Sequence, residues 1–127
     1  MSLLGLRTAI YRVSDLAAAR DWYTEVLGFG PYFDEPFYVG FNVAGYELGL
    51  QPDPVNAAEK STSVCTYWGV DDVSANFERL LDLGATAFEQ PDDVGGGIVV
   101  AMVSDPWGNL FGLIFNPHFS LEPHQAE

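Results

Sequence analysis

Hydrophobic and polar positions follow the same changes of period twice along the chain. Residues 5–13 and 63–70 are short runs rich in β-branched and aromatic side chains, which predicts a strand in each. Asp15 and Asp72 follow these runs and suit the N-cap of a helix, where a carboxylate accepts from free backbone amides. Apolar residues then recur at three-and-four spacing: Leu16, Ala19, Tyr23, Val26 and Leu27, and later Val73, Phe77, Leu80 and Leu81. That spacing builds one apolar helix face, and Gly28 and Gly84 are placed to end the two helices. Three strands are expected after each helix, at 30–34, 37–43 and 46–51 and at 86–90, 98–104 and 110–116. The turns between them read "DEP", "AG", "PDDVGGG" and "DPWGN".

Each half therefore reads βαβββ, and the halves align. A shift of 57 residues pairs Val13 with Val70, Asp15 with Asp72 and Leu16 with Val73. One residue is then dropped before Leu27-Gly28 recurs as Leu83-Gly84. The polar, Pro-containing segment 52–62 is expected to link a first module, 5–51, to a second, 63–116, with 117–127 as a C-terminal tail of one domain spanning 1–127. The fold class is α+β. A helix covers one face of each sheet and leaves the other face for a partner or ligand. Two modules side by side predict an open U-shaped β-sheet trough with helices outside.

Composition narrows the function. Hydrophobic residues are 48% and aromatics 14% of the 127 residues, enough for a folded core. No apolar run approaches the ~20 residues of a membrane helix. The opening "MSLLGLRTAIYR" is interrupted by Arg7 and does not read as a secretion signal. The single cysteine, Cys65, allows no internal disulfide and suggests a cytoplasmic setting. Eighteen acidic residues against five basic ones give a net charge of −13, which argues against nucleic acid as a partner and either serves solubility or favours cationic ligands.

Two stretches carry a resemblance over nearly the whole chain, from about Leu6 to Pro117. "YRVSDLAAARDWYTEVLGF" is close to the "V-x-D-L…FY…vLGF" opening of the vicinal oxygen chelate superfamily, and "DPWGN" matches its "DPxGN" hairpin. The chain resembles that superfamily, the group of glyoxalase I, bleomycin-resistance proteins and extradiol dioxygenases. Metal-using members place ligands at matching points of the two halves. The resemblance carries those points to Thr8, Glu47, Cys65 and Gly112. A catalytic divalent ion on such a scaffold needs about three imidazole, carboxylate or thiolate ligands. Thr8 and Gly112 do not qualify, and the two histidines, His118 and His124, lie in or near the tail. No metal and no other cofactor is expected.

Strand alternation puts Leu6, Thr8 and Ile10, then Gly45, Glu47 and Gly49, then Ser63, Cys65 and Tyr67, then Leu110, Gly112 and Ile114 on the trough face. The expected ligand-binding residues are Thr8, Ile10, Glu47, Cys65, Tyr67, Gly112 and Ile114, with Phe41 and Trp107 at the mouth. Gly45, Gly49 and Gly112 are expected to leave room. Three roles stay open for Glu47: general base, anchor for a cationic ligand, or structural acceptor from Thr8 or Tyr67. Cys65 is read as a reactive thiol or a packing residue, and Tyr67 as a ligand-orienting phenol or packing. The aromatic surplus Tyr32, Phe33, Phe37, Tyr38 and Phe41 suits the trough mouth or a homodimer contact, and "PDDVGGG" a lid or a plain surface loop.

These features favour a metal-independent small-molecule-binding protein of the bleomycin-resistance type, holding an amphiphilic or cationic aromatic compound and conferring antibiotic resistance. The alternative is a metal-free lyase or isomerase with Glu47 as base. A third reading is a domain whose trough is closed by its own aromatics and whose role lies in a partner surface.

Overall fold

A computed structural model describes residues 3–54 and 59–121. The first half runs β1 (Thr8–Val13), α1 (Leu16–Leu27), β2 (Phe33–Glu35), β3 (Tyr38–Val43) and β4 (Tyr46–Pro52). The second runs β5 (Thr66–Gly69), α2 (Val73–Asp82), β6 (Thr86–Gly95), β7 (Ile98–Ser104) and β8 (Leu110–Phe115). Two four-stranded sheets result, ordered β1-β4-β3-β2 and β5-β8-β7-β6. In each, the opening strand pairs parallel with the closing one and the other pairs are antiparallel. This is the α+β, duplicated βαβββ architecture that the repeat predicts.

The helices start and stop for local reasons. Asp15 accepts from the Ala18 amide at 3.0 Å and Asp72 from the Ala75 amide at 2.9 Å. Gly28 ends α1 at φ 83°, in the left-handed region that glycine enters without a Cβ penalty.

The sequence reading departs from the structure along β6. Residues 91–97 are no lid: β6 continues to Gly95, leaving Gly96 and Gly97 for the turn into β7. Register shifts between Ala87 and Gly95 absorb the extra residues. Pro91 is tolerated there because β6 is an edge strand and needs fewer amide donors. The opening strand is also shorter than expected, and Leu6 lies outside it and exposed. Part of the expected linker, residues 55–58, lies outside the described residues, as does the tail from 122 onward with His124.

One apolar cluster joins both halves: Tyr11, Val13, Tyr23, Phe41, Leu48 and Leu50 from the first, with Phe77, Val103, Phe111 and Leu113 from the second. Trp68 stacks on Phe111 with ring centroids 4.8 Å apart. β1 and β5 are linked by side chains: the Tyr11 hydroxyl bonds to that of Thr66 and donates to the Leu110 carbonyl at 3.1 Å. The helices are tied end to end as well. Trp22 donates to the Leu83 carbonyl at 2.7 Å, and Arg79 donates to the carbonyls of Glu25 at 2.7 Å and Val26 at 3.1 Å.

Asp105 is a buried polar hub, 3% exposed, at the start of the β7–β8 turn. Its carboxylate accepts from the Tyr23 hydroxyl at 2.6 Å, the Trp107 amide at 2.9 Å, the Asn109 amide at 2.8 Å and Asn109 Nδ2 at 3.0 Å. One side chain thus shapes the hairpin and anchors α1 of the other half.

Burial, reinforced by the Asp105 carboxylate, holds the Tyr23 phenol well above its ordinary value of 10.0. The unfolded chain releases that proton above about pH 10 while the folded chain keeps it. Stability is therefore fully present below about pH 10 and falls as pH rises beyond it, by about 1.4 kcal/mol per pH unit for each such phenol. Urea midpoints between about pH 8 and about pH 11 should show this decline, and Tyr23→Phe should make it shallower by one phenol's share. An equal slope in the variant would assign the decline to other groups.

Candidate functional site

The open face of the first sheet is organised around Glu47 on β4. Its register partners are Thr8 on β1 and Asn42 on β3, and the next row on that face places Gly49 between Ile10 and Gly40. Two facing glycines leave a flat strip of backbone. Tyr38 fills it: its ring lies over Gly49, at the position a Cβ would take, and its hydroxyl reaches Glu47. Oε2 of Glu47 accepts from Tyr38 at 2.6 Å, and Oε1 accepts from Tyr32 at 2.8 Å. The Tyr32 amide donates to the Gly40 carbonyl at 3.0 Å, which sets that ring beside the strip.

The carboxylate bond, with burial and the negative charge of Glu47, raises the Tyr32 phenol above its ordinary range. Burial leads the same effect at Tyr38, followed by its bond to Glu47. Both phenols therefore remain protonated donors at neutral pH. Phe33 packs against Tyr32, Phe37 and Tyr38 with ring centroids 6.5, 6.0 and 6.1 Å away. Tyr32 and Phe37 are 65% and 67% exposed, so the cluster presents ring surface beside a carboxylate.

The second sheet repeats the device without the acid. The Tyr67 ring lies over Gly112, and a Cβ there would sit 2.7 Å from Tyr67 Cδ1 and 2.6 Å from the Thr66 carbonyl oxygen. Burial raises the Tyr67 phenol, with Glu89 adding to the effect. Ile114 follows on the same strand face and is partly buried.

Several expected positions need correction. Phe41 lies on the opposite sheet face, fully buried in the helix-side core, because strand alternation pairs it with Leu48. Trp107 packs edge-on against Trp22 of α1 at 6.1 Å and belongs to the helix side. Gly45 sits in the β3–β4 turn at φ 93° and contributes no floor to the trough. The space over Gly49 and Gly112 is filled by the chain's own tyrosines. Cys65 precedes β5 and is exposed, its Sγ 3.9 Å from the Thr62 carbonyl oxygen. The partners of Glu47 are Tyr32 and Tyr38, where the sequence reading looked to Thr8 or Tyr67. The glycine at 40, facing the glycine at 49, is the signal that could have placed Tyr38.

The donor set does not fit a divalent ion of the kind the fold family uses. Glu47 already accepts two phenols, Gly112 has no ligand atom and is covered by Tyr67, and Thr8 is a poor ligand. No three His, Cys, Asp or Glu side chains converge among the described residues. His118 Nε2 lies 2.7 Å from the Gly96 carbonyl oxygen, at the β6–β7 turn. Two open clefts lie away from both open faces. One of about 440 Å³ is lined by Leu16, Arg20, Asp34 and Val39, the other of about 260 Å³ by Asp72, Val99 and Phe115. No helix among the described residues is long and apolar enough to cross a membrane.

Known proteins agree with this architecture. A glyoxalase-related enzyme from Fulvimarina pelagi superposes with a TM-score of 0.75 at 23% identity, over 91% of this chain and 90% of that one. A bleomycin resistance determinant encoded on transposon Tn5 superposes with a TM-score of 0.70 at 21% identity, over 89% and 98%. In sequence, the chain is 28% identical over 110 residues to "Putative glyoxylase CFP32" of Mycobacterium bovis, and equally to its Mycobacterium tuberculosis counterpart. Those matches cover 80% of this chain, which spans only 42% of each relative's length. A family model matches residues 5–113, from ahead of β1 into β8. With the duplicated modules and the "DPWGN" hairpin falling inside that span, the chain belongs to the Glyoxalase/Bleomycin resistance protein/Dioxygenase superfamily.

Proposed function

We propose that this protein binds, without a metal, a small amphiphilic or cationic aromatic compound on the open face of its sheets, in the manner of a resistance protein that sequesters its ligand. The observation that carries this reading is Glu47 set among exposed aromatic rings, held by two phenols and facing outward. A net charge of −13 adds long-range attraction for cations. The tyrosine-filled glycine strips favour a ligand lying on an aromatic surface over one enclosed in a deep apolar trough. The protein is further proposed to act as a cytoplasmic homodimer, a reading supported by exposed Leu4, Leu6, Ile10 and Phe88. The alternative, a lyase or isomerase with Glu47 as base, has no separate observation in its favour.

A thermal-shift panel tests the reading. Ethidium and benzalkonium should raise the melting temperature, and an anionic aromatic such as naphthalenesulfonate should not. Chelator in the buffer should leave the shifts unchanged. No shift with any cationic aromatic, or a shift abolished by chelator, would sink it.

A further inference from the structure

We infer that the group recognised at Glu47 is a quaternary ammonium, bound by the carboxylate together with the rings of Tyr32 and Tyr38. This rests on the ligand-binding reading above and specifies the head group of that ligand. A carboxylate offers about four lone-pair sites, and the two phenols already occupy one on each oxygen. A primary ammonium or a guanidinium gains its advantage by donating several hydrogen bonds to such oxygens, and here half of that capacity is spent. A quaternary ammonium donates none. It needs only the negative charge and a π surface, and both are present.

The phenols do more than hold the acid. A hydroxyl donating to a carboxylate shifts electron density toward its ring, so the faces of Tyr32 and Tyr38 become more negative than those of free phenols. Phe33 packs against both rings and braces them, which lowers the ordering cost when a ligand arrives. The facing Gly40 and Gly49 are the condition for all of this, since a side chain at 49 would evict Tyr38 from its place beside Glu47.

Isothermal titration of the full chain with benzyltrimethylammonium, benzylamine and benzylguanidine separates the possibilities, because the three share an aryl group and a positive charge. Benzyltrimethylammonium should bind about tenfold more tightly than either of the others. Glu47→Gln should weaken it about tenfold and erase the preference, and Tyr38→Phe should weaken it about threefold. Tyr32→Phe, at an exposed position, is the second variant and guards against misfolding at Tyr38. Equal or tighter binding of benzylamine or benzylguanidine overturns the head-group assignment while the ligand-binding reading stands. The same holds if Glu47→Gln leaves benzyltrimethylammonium binding unchanged. Absence of binding by all three overturns the head-group assignment, and ethidium also failing to stabilise the protein overturns both.

Discussion

Asp105→Ala is expected to lower the unfolding free energy by about 3 kcal/mol, the upper end for losing hydrogen bonds to a charged group and leaving buried donors unpaired. Four hydrogen bonds end on this carboxylate, and two come from the backbone amides of Trp107 and Asn109 in the hairpin. The Tyr23 hydroxyl would be left fully buried with no acceptor. The loss also crosses between modules, since Tyr23 belongs to α1 and Asp105 to the β7–β8 turn. Urea unfolding of parent and variant at neutral pH measures it. Asp105→Asn keeps one oxygen acceptor but turns an amide toward a donor, so it should fall between the two. A change under about 1 kcal/mol for the alanine variant would show that water replaces the carboxylate without penalty.

The second large effect is expected at Gly112. An added Cβ would stand 2.6 Å from the Thr66 carbonyl oxygen as well as against the Tyr67 ring. The ring can swing away. The carbonyl belongs to the backbone of β5, which pairs parallel with β8 here, and it moves only if the strands separate. Gly112→Ala should therefore cost about 2–3 kcal/mol, at the upper end for overpacking. Gly49→Ala is the control, because its obstruction is the far end of the Tyr38 side chain. It should cost about 1 kcal/mol, mainly through the lost bond to Glu47. Parallel urea titrations decide the order, and Gly112→Ala within about 0.5 kcal/mol of the parent would refute the steric account.

Position 112 also shows how a sequence reading reaches its limit. Resemblance presents Gly112 as a ligand position that has lost its side chain and left a gap. The gap is absent because Tyr67, its register partner, lies across it. A tyrosine one strand away carries no sequence mark that it will lean over a glycine instead of standing clear. Glu47 behaves alike: alternation identifies its face, whereas its partners come from β3 and from the segment before β2. Aromatic surplus suggests Phe41 and a hairpin tip suggests Trp107, and neither says which face the ring takes. For Phe41, alternation with Val39 and Val43 along its own strand points to the core, where the structure pairs it with Leu48.

By itself the sequence determined the duplicated βαβββ order, the helix caps, the α+β class and the superfamily. The first three depend on contacts between near neighbours or on a period along the chain, both written locally, and the superfamily shows through the resemblance of its opening stretch and "DPWGN" hairpin. Only the tertiary structure decided that Asp105 joins the modules, that β6 replaces the expected loop, and that tyrosines fill the glycine strips and hold Glu47. Those outcomes depend on which side chains meet across strands and modules, and such meetings are set by register, twist and the competition for a single core. The pattern along the chain specifies the faces; what lies on them is settled by what the other elements bring there.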